Sequence, residues 1–120
     1  MKIDCFTHVM PKPYIERFSA AVKDFYLGDL PKKIPEMVDI RPRLDMMDRL
    51  GIDQQVFTIA TPPIEEVVAD PKLAAELATV ANDAIAEMAA QRPDRFLAVG
   101  TIAMNNMDAA VREAERAVKQ

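Results

Sequence analysis

Cysteine, glycine and histidine are scarce in this 120-residue sequence, and each scarcity excludes a kind of site. Cys5 is the single cysteine, so no disulfide can form within the chain, which is typical of a reducing compartment. The three glycines are widely separated, so no glycine-rich loop is present to hold a phosphate. His8 is the single histidine, and one imidazole is not a metal site because zinc generally takes at least three protein ligands.

Long apolar runs and an excess of positive charge are also missing. No stretch approaches the roughly 20 apolar residues that cross a membrane, and Met1 leads directly into a strand-like segment without a signal-peptide pattern. The net charge is −4 and the cations are dispersed, which argues against a nucleic-acid or membrane partner. Half of the residues are apolar and 28% are charged. We therefore expect one globular domain, residues 1–120, in the cytoplasm.

Three short apolar segments predict β-strands at residues 2–6, 55–60 and 96–103. The second is an almost unbroken apolar or β-branched run, which is typical of a parallel strand covered on both faces. Thr61, Pro62 and Pro63 end it, because proline supplies no amide to the sheet and restricts the residue before it.

The segment between the first two strands predicts two helices. One begins at Pro13, carries an apolar stripe, and ends near Gly28. Residues 29–39 contain two prolines and no periodicity, which favours a loop that is either a plain connection or a rim. The second helix covers residues 42–50 and stops at Gly51.

Two further helices follow the second and third strands. Asp70 can cap a helix over residues 70–91, and Asn106 can cap the last one. The residues predicted to face inward are Leu44, Met47 and Leu50 in the 42–50 helix and Val111, Ala114 and Val118 in the last.

This order of elements predicts an α/β fold, a parallel βαβαβα sheet with right-handed crossovers. The first crossover holds two helices, so we interpret one of them as an insertion within about residues 11–40. Ligands of parallel α/β proteins bind at the C-terminal ends of the strands, and the insertion would lie there.

Phe6 and His8 are two residues apart on the first strand, so their side chains share one face at its C-terminal end. Two histidines at these positions would form a chelating pair, but phenylalanine has no lone pair to give. His8 is therefore either a polar group that contacts substrate or a metal, or a histidine satisfied by hydrogen bonds at a strand end.

Three more residues are candidates for substrate binding. Thr61 and Pro62 would lie at the C-terminal ends of the strands, although a rigid turn is the favoured alternative on chemistry alone. Arg43, like Arg41, could bind a substrate carboxylate through two parallel hydrogen bonds, although a helix start on the solvated surface is the alternative.

Several segments carry a resemblance to a known family: residues 1–11 (MKIDCFTHVMP), 43–56 (RLDMMDRLGIDQQV), 58–63 (TIATPP), 82–96 (NDAIAEMAAQRPDRF) and 100–118. The chain resembles the amidohydrolase-related family, in particular the branch of aminocarboxymuconate-semialdehyde and resorcylate decarboxylases. The resemblance spans essentially the whole chain.

The resemblance implies a (β/α)8 barrel of roughly 250 residues or more, of which this chain supplies the first three strands. It also implies a divalent metal, usually zinc, at the C-terminal ends of the strands. The family's first strand ends in an aspartate-any-histidine-any-histidine pattern. His8 matches its second histidine and Phe6 replaces its first, so we expect no stable zinc in this chain. No catalytic residue of the family falls within it.

The sequence as a whole is interpreted as the N-terminal portion of a metal-dependent decarboxylase or hydrolase for a small carboxylated substrate, inactive as 120 residues. The alternatives are a non-catalytic α/β binding module and a self-associating fragment. We expect a homo-oligomer, because three strands taken from a barrel leave two edges unpaired.

Overall fold

Three parallel strands form the centre of the computed structural model, which describes residues 1–23, 25, 28–60 and 62–119. They are β1 (Ile3–Val9), β2 (Gln54–Ile59) and β3 (Phe96–Ala98), in the order β1-β2-β3. Both pairings are parallel. The α/β class and the parallel sheet predicted from the sequence are confirmed.

Helices connect and flank these strands. They are α1 (Lys12–Ala21), α2 (Leu30–Lys33), α3 (Ile40–Leu50), α4 (Ile64–Val67), α5 (Pro71–Ala90) and α6 (Met107–Ala117), with a 3₁₀ turn at Pro35–Met37. No helix among the described residues is long and apolar enough to cross a membrane.

The helix ends predicted from local residue types are confirmed at three places. Asp70 accepts a hydrogen bond from the Lys72 amide (2.9 Å) and caps α5. Asn106 caps α6 by accepting from the Ala109 amide (3.2 Å). Gly51 ends α3 with a φ of 62°, a left-handed conformation that favours glycine.

The first crossover differs from its prediction. The first helix ends at Ala21 rather than near Gly28, because Val22 is already extended. Residues 29–39 are not a loop: they contain α2 and the 3₁₀ turn. Pro31 and Pro35 lie in the first turns of these elements, where a missing amide costs nothing, so they begin helical structure instead of breaking it.

Some of the residues predicted to face inward do not. In α3, Met47 is buried as predicted, but Leu50 is exposed and Arg43 is buried as well. Val111 and Val118 are exposed, and α6 buries Ala110 and Glu113. The helix α4 was not predicted.

A polar network explains both the last helix and the short third strand. Asn82 on α5 donates to the Thr101 carbonyl (2.9 Å) and to Glu113 (2.7 Å), and it accepts from the Thr101 amide (2.7 Å). Thr79 and Arg116 also donate to Glu113. The Thr101 amide therefore bonds to a side chain of α5 and not to a neighbouring strand, so the third strand does not continue to residue 103 and ends at Ala98.

The apolar core lies on one face of the sheet, under α3 and α5. Val9, Phe57 and Phe96 project there, and the last two rings stack at 4.5 Å. The opposite face carries Phe6 on β1 and Leu97 on β3, and both side chains are exposed. The sheet thus has one packed face and one open face.

Candidate functional site

His8 lies near the C-terminal end of β1, directly opposite Thr58 of β2 in the sheet register. Its Nδ1 is 2.8 Å from the Thr58 hydroxyl oxygen, and the imidazole is half-buried. The Phe6 ring meets the imidazole edge-on, with centroids 5.0 Å apart and planes at 72°. Phe6 and His8 therefore share the open face, as strand alternation predicts.

Two threonine hydroxyls bind the β1–β2 pair at this point. Thr58 donates to the Thr7 carbonyl (2.9 Å), and Thr7 donates to the Val56 carbonyl (2.7 Å). Both bonds cross between the strands, so the residues around His8 are fixed by more than the backbone ladder.

Arg43 is buried, with only 5% of its surface exposed. Its guanidinium donates to the carbonyls of Glu36 (2.7 and 2.9 Å) and His8 (2.9 Å) and to the side chain of Gln55 (3.0 Å). It also lies 5.1 Å from the centre of the Phe57 ring. The alternative that placed Arg43 on the solvated surface is therefore wrong, whereas Arg41 is exposed there.

The positive charge of Arg43 is balanced by a carboxylate that it reaches through another side chain. Gln55 accepts from Arg43 and donates to Asp4 (3.1 Å), so the carboxylate reaches the guanidinium through an amide. Burial lowers the pKa of Arg43, and the charges of Glu36 and Asp4 work in the opposite direction. The guanidinium stays charged, because an arginine side chain is not deprotonated in proteins.

A cavity of about 630 Å³ opens beside His8 and Arg43. Its apolar walls come from three places: Phe6 on the open sheet face, Met46 on α3, and the segment 29–39, which the sequence predicted as a connection or a rim. That segment contributes Leu30, Ile34 and Met37. The segment therefore forms a wall of the site. The combination of an apolar wall with a few convergent polar groups is typical of small-molecule sites.

Pro62 lies in a second, smaller cavity of about 200 Å³ at the ends of β2 and β3, together with Thr58 and Gly100. Thr61, which the sequence also proposed for substrate contact, lies outside the described residues. The structure thus brings His8 and Arg43 together and places Pro62 in a neighbouring hollow.

Another cavity, of about 750 Å³, lies at the opposite ends of the strands, among Asp48, Asp53, Asp94 and Arg95. Arg95 is already paired with Asp48 at 2.8 Å. Asp94 is likewise paired with Arg92 at 2.7 Å, and parallel α/β proteins bind ligands at the other end of the sheet. We therefore place the candidate site beside His8 despite its smaller volume.

The residues present do not fit a complete metal site. Within the described ranges, no group of three or more histidine, cysteine, aspartate or glutamate side chains could hold a metal ion. Phe6 fills the position where a second imidazole would converge with His8. Zinc normally needs three or four such ligands.

Sequence reasoning missed Thr58 and Gln55 as parts of the site. Gln55 carried a signal, since it is an amide side chain at the start of an almost unbroken apolar or β-branched run. Thr58 carried none, because its pairing with His8 depends on the register between strands 50 residues apart.

Comparison with known proteins identifies relatives along the whole chain. A sequence model of the amidohydrolase family matches residues 3–120. The gamma-resorcylate decarboxylase of Rhizobium radiobacter is 38% identical over 96 residues, which are 78% of this chain and 29% of that protein. This chain thus spans less than a third of the length of that relative.

Solved structures agree with this match. A 2,6-dihydroxybenzoate decarboxylase in complex with 2,6-dihydroxybenzoate superposes with a TM-score of 0.79 at 33% identity, over 99% of this chain and 36% of that one. A dihydroxybenzoic acid decarboxylase from Polaromonas, with bound manganese and 2-nitroresorcinol, gives 0.78 at 32% identity over 99% and 35%. These neighbours are TIM barrels, so the three strands here match part of such a barrel.

Proposed function

Because this chain belongs to the amidohydrolase family, we propose that it is the N-terminal portion of a decarboxylase acting on a small aromatic carboxylate. The relatives named above are decarboxylases rather than hydrolases, which favours the first of the two reactions considered from the sequence. The observation that carries the proposal is the cavity beside His8, at the end of the sheet where this fold binds ligands.

The cavity suits a substituted benzoate in size and in chemistry. Its volume of about 630 Å³ falls within the range of small-molecule sites. Phe6 and Met46 can pack against a ring, since both line the cavity. Hydroxyl groups of the ligand can bond to His8, which is half-buried at the same wall.

Arg43 is the cation for the carboxylate. A guanidinium has five N–H donors, and the contacts above use four of them. Within the part of the chain that the structure describes, the second N–H of Nη1 has no protein acceptor, and Arg43 lines the cavity. We propose that this N–H donates a single charge-assisted hydrogen bond to the carboxylate and that the existing hydrogen bonds are kept.

We propose a bound metal only for the longer protein, not for these 120 residues. Manganese is bound in the Polaromonas enzyme, whereas the sequence led us to expect zinc, and we keep zinc as the proposal for the whole enzyme. His8 alone does not hold either ion, so further ligands would come from the part of the barrel that this chain does not span. We assign no step to the metal and propose that the 120 residues bind and orient a ligand without turnover.

The test is equilibrium binding of 2,6-dihydroxybenzoate, with resorcinol as the matched ligand that lacks the carboxylate. We expect saturable binding of the acid, at least fivefold weaker binding of resorcinol, and weaker binding of both to His8→Ala. No carbon dioxide should be released. Equal binding of the two ligands, or binding unchanged in His8→Ala, would overturn the proposed site, and metal-independent release of carbon dioxide would overturn the absence of turnover.

Self-association is a second candidate function, favoured by the exposed Phe6 and Leu97 on the open sheet face. A homo-oligomer would cover that face. Sedimentation equilibrium decides it: a concentration-dependent mass supports association, and a constant monomer mass rejects it.

We also infer a reducing, cytoplasmic location, which the exposed free Cys5 supports.

A further inference from the structure

The side chain of His8 takes part in a short chain of hydrogen bonds whose direction can be worked out. The Thr58 oxygen lies 2.9 Å from the Thr7 carbonyl oxygen and 2.8 Å from Nδ1 of His8. Both distances are those of hydrogen bonds. Each therefore needs one proton between the two atoms.

A carbonyl oxygen can only accept, so the single hydroxyl proton of Thr58 must lie on the side of Thr7. Without that proton, two oxygen atoms at 2.9 Å would present lone pairs to each other. The hydroxyl proton is then no longer available to His8. It follows that Thr58 accepts from His8, and that Nδ1 carries the imidazole proton.

We propose that Thr58 is a positioning residue, which holds neutral His8 in the Nδ1–H tautomer and leaves the lone pair of Nε2 free for a ligand. The tautomer of a histidine is set by the partner of its other nitrogen. Among the described residues, Nε2 has no hydrogen-bond partner, and His8 lines the cavity that contains Arg43. Nε2 is thus the acceptor offered to the cavity.

This inference rests on the proposed function for its purpose and deepens it by naming the ligand chemistry. An unprotonated Nε2 accepts a hydrogen bond, so the group it meets must be a donor such as a phenolic hydroxyl. A carboxylate oxygen would instead be repelled by the lone pair. A hydroxybenzoate would therefore bind with its hydroxyl toward His8 and its carboxylate toward Arg43.

The tautomer can be measured directly, because His8 is the only histidine in the sequence. Nitrogen-15 NMR of the ligand-free chain in mildly alkaline buffer gives separate signals for protonated and unprotonated ring nitrogens. We expect Nδ1 to carry the proton. An unconstrained imidazole in water favours the proton on Nε2, so the expected result is opposite to the default.

Three variants isolate the hydroxyl of Thr58. Thr58→Val should lower the ratio of the Nδ1–H to the Nε2–H form by about fivefold or more, as expected for one lost hydrogen bond. Thr58→Ser should keep the wild-type ratio. Thr7→Val is the matched control, since it removes a hydroxyl that bonds to the Val56 carbonyl and not to the His8 ring. It should leave the ratio unchanged.

A wild-type chain with the proton on Nε2 would overturn the inference without any variant. An unchanged ratio of the Nδ1–H to the Nε2–H form in a folded Thr58→Val variant would also overturn it. Far-ultraviolet circular dichroism and urea unfolding establish whether each variant is folded, so that loss of structure is not taken for loss of the tautomer. Because these spectra are recorded without ligand, their outcome is separate from that of the dihydroxybenzoate titration.

Discussion

Replacing Arg43 by methionine should destabilise the chain strongly, because this side chain forms hydrogen bonds with three separate segments. Its guanidinium reaches the 3₁₀ turn through the Glu36 carbonyl, β1 through the His8 carbonyl, and β2 through Gln55. Methionine has a comparable length and apolar stem but no donors. The substitution therefore removes the hydrogen bonds and leaves their acceptors behind.

The size of the effect follows from those acceptors. Two carbonyls and one amide oxygen would lose their partner in a partly or fully buried setting. A buried polar group without a partner costs about 1–3 kcal/mol. Relaxation and entry of water would recover part of that, so we expect a loss of about 3 kcal/mol in the free energy of unfolding.

Urea unfolding followed by circular dichroism measures this quantity. Arg41→Met is the matched control, because Arg41 is in the same helix but is exposed and pairs with Asp39, two residues away. Its stability should stay close to that of the wild type. A loss below about 1 kcal/mol for Arg43→Met would refute the reasoning, because buried acceptors would then have found other partners.

Three further predictions concern the pH dependence, a helix cap and the missing ligand. Burial acts to raise the pKa of Glu113, but hydrogen bonds from its neighbours outweigh it and the net pKa is lowered. The stability that Glu113 gives is therefore present above its ordinary pKa of 4.5 and lost as the pH falls through the lower folded-state value. Urea midpoints between pH 7 and pH 3 should show a loss that is smaller in Glu113→Gln. Asp70→Ala should cost about 1 kcal/mol through the lost cap, measured by urea unfolding; an unchanged midpoint would contradict it. Phe6→His should tighten zinc binding in a chelator competition by pairing two imidazoles with His8, whereas Leu97→His on the same open face should not; equal affinities would reject the pairing.

Local chemistry accounts for what the sequence predicted correctly. Gly51 and the capping residue Asp70 act on amides and carbonyls within a few residues, so their types alone located two helix ends. The β-branched run of β2 likewise identified a parallel strand. These features need no knowledge of distant parts of the chain.

The errors involve contacts between distant segments. The end of β3 depends on Asn82, 19 residues before the amide it holds at Thr101. The burial of Arg43 depends on the His8 carbonyl, 35 residues away. Proline at residues 29–39 was ambiguous for another reason, because the same ring that interrupts a helix also suits its first turn.

The position of a bound aromatic carboxylate tests the central claim most directly. Two cavities compete for it, the one beside His8 and the larger one near Asp53 and Arg95 at the opposite ends of the strands. A titration with 2,6-dihydroxybenzoate, followed by NMR, should shift the ring signals of His8 and the Nε–H signal of Arg43 in a saturable way. Shifts confined to Asp53 and Arg95, with the His8 ring unaffected at saturation, would contradict the account.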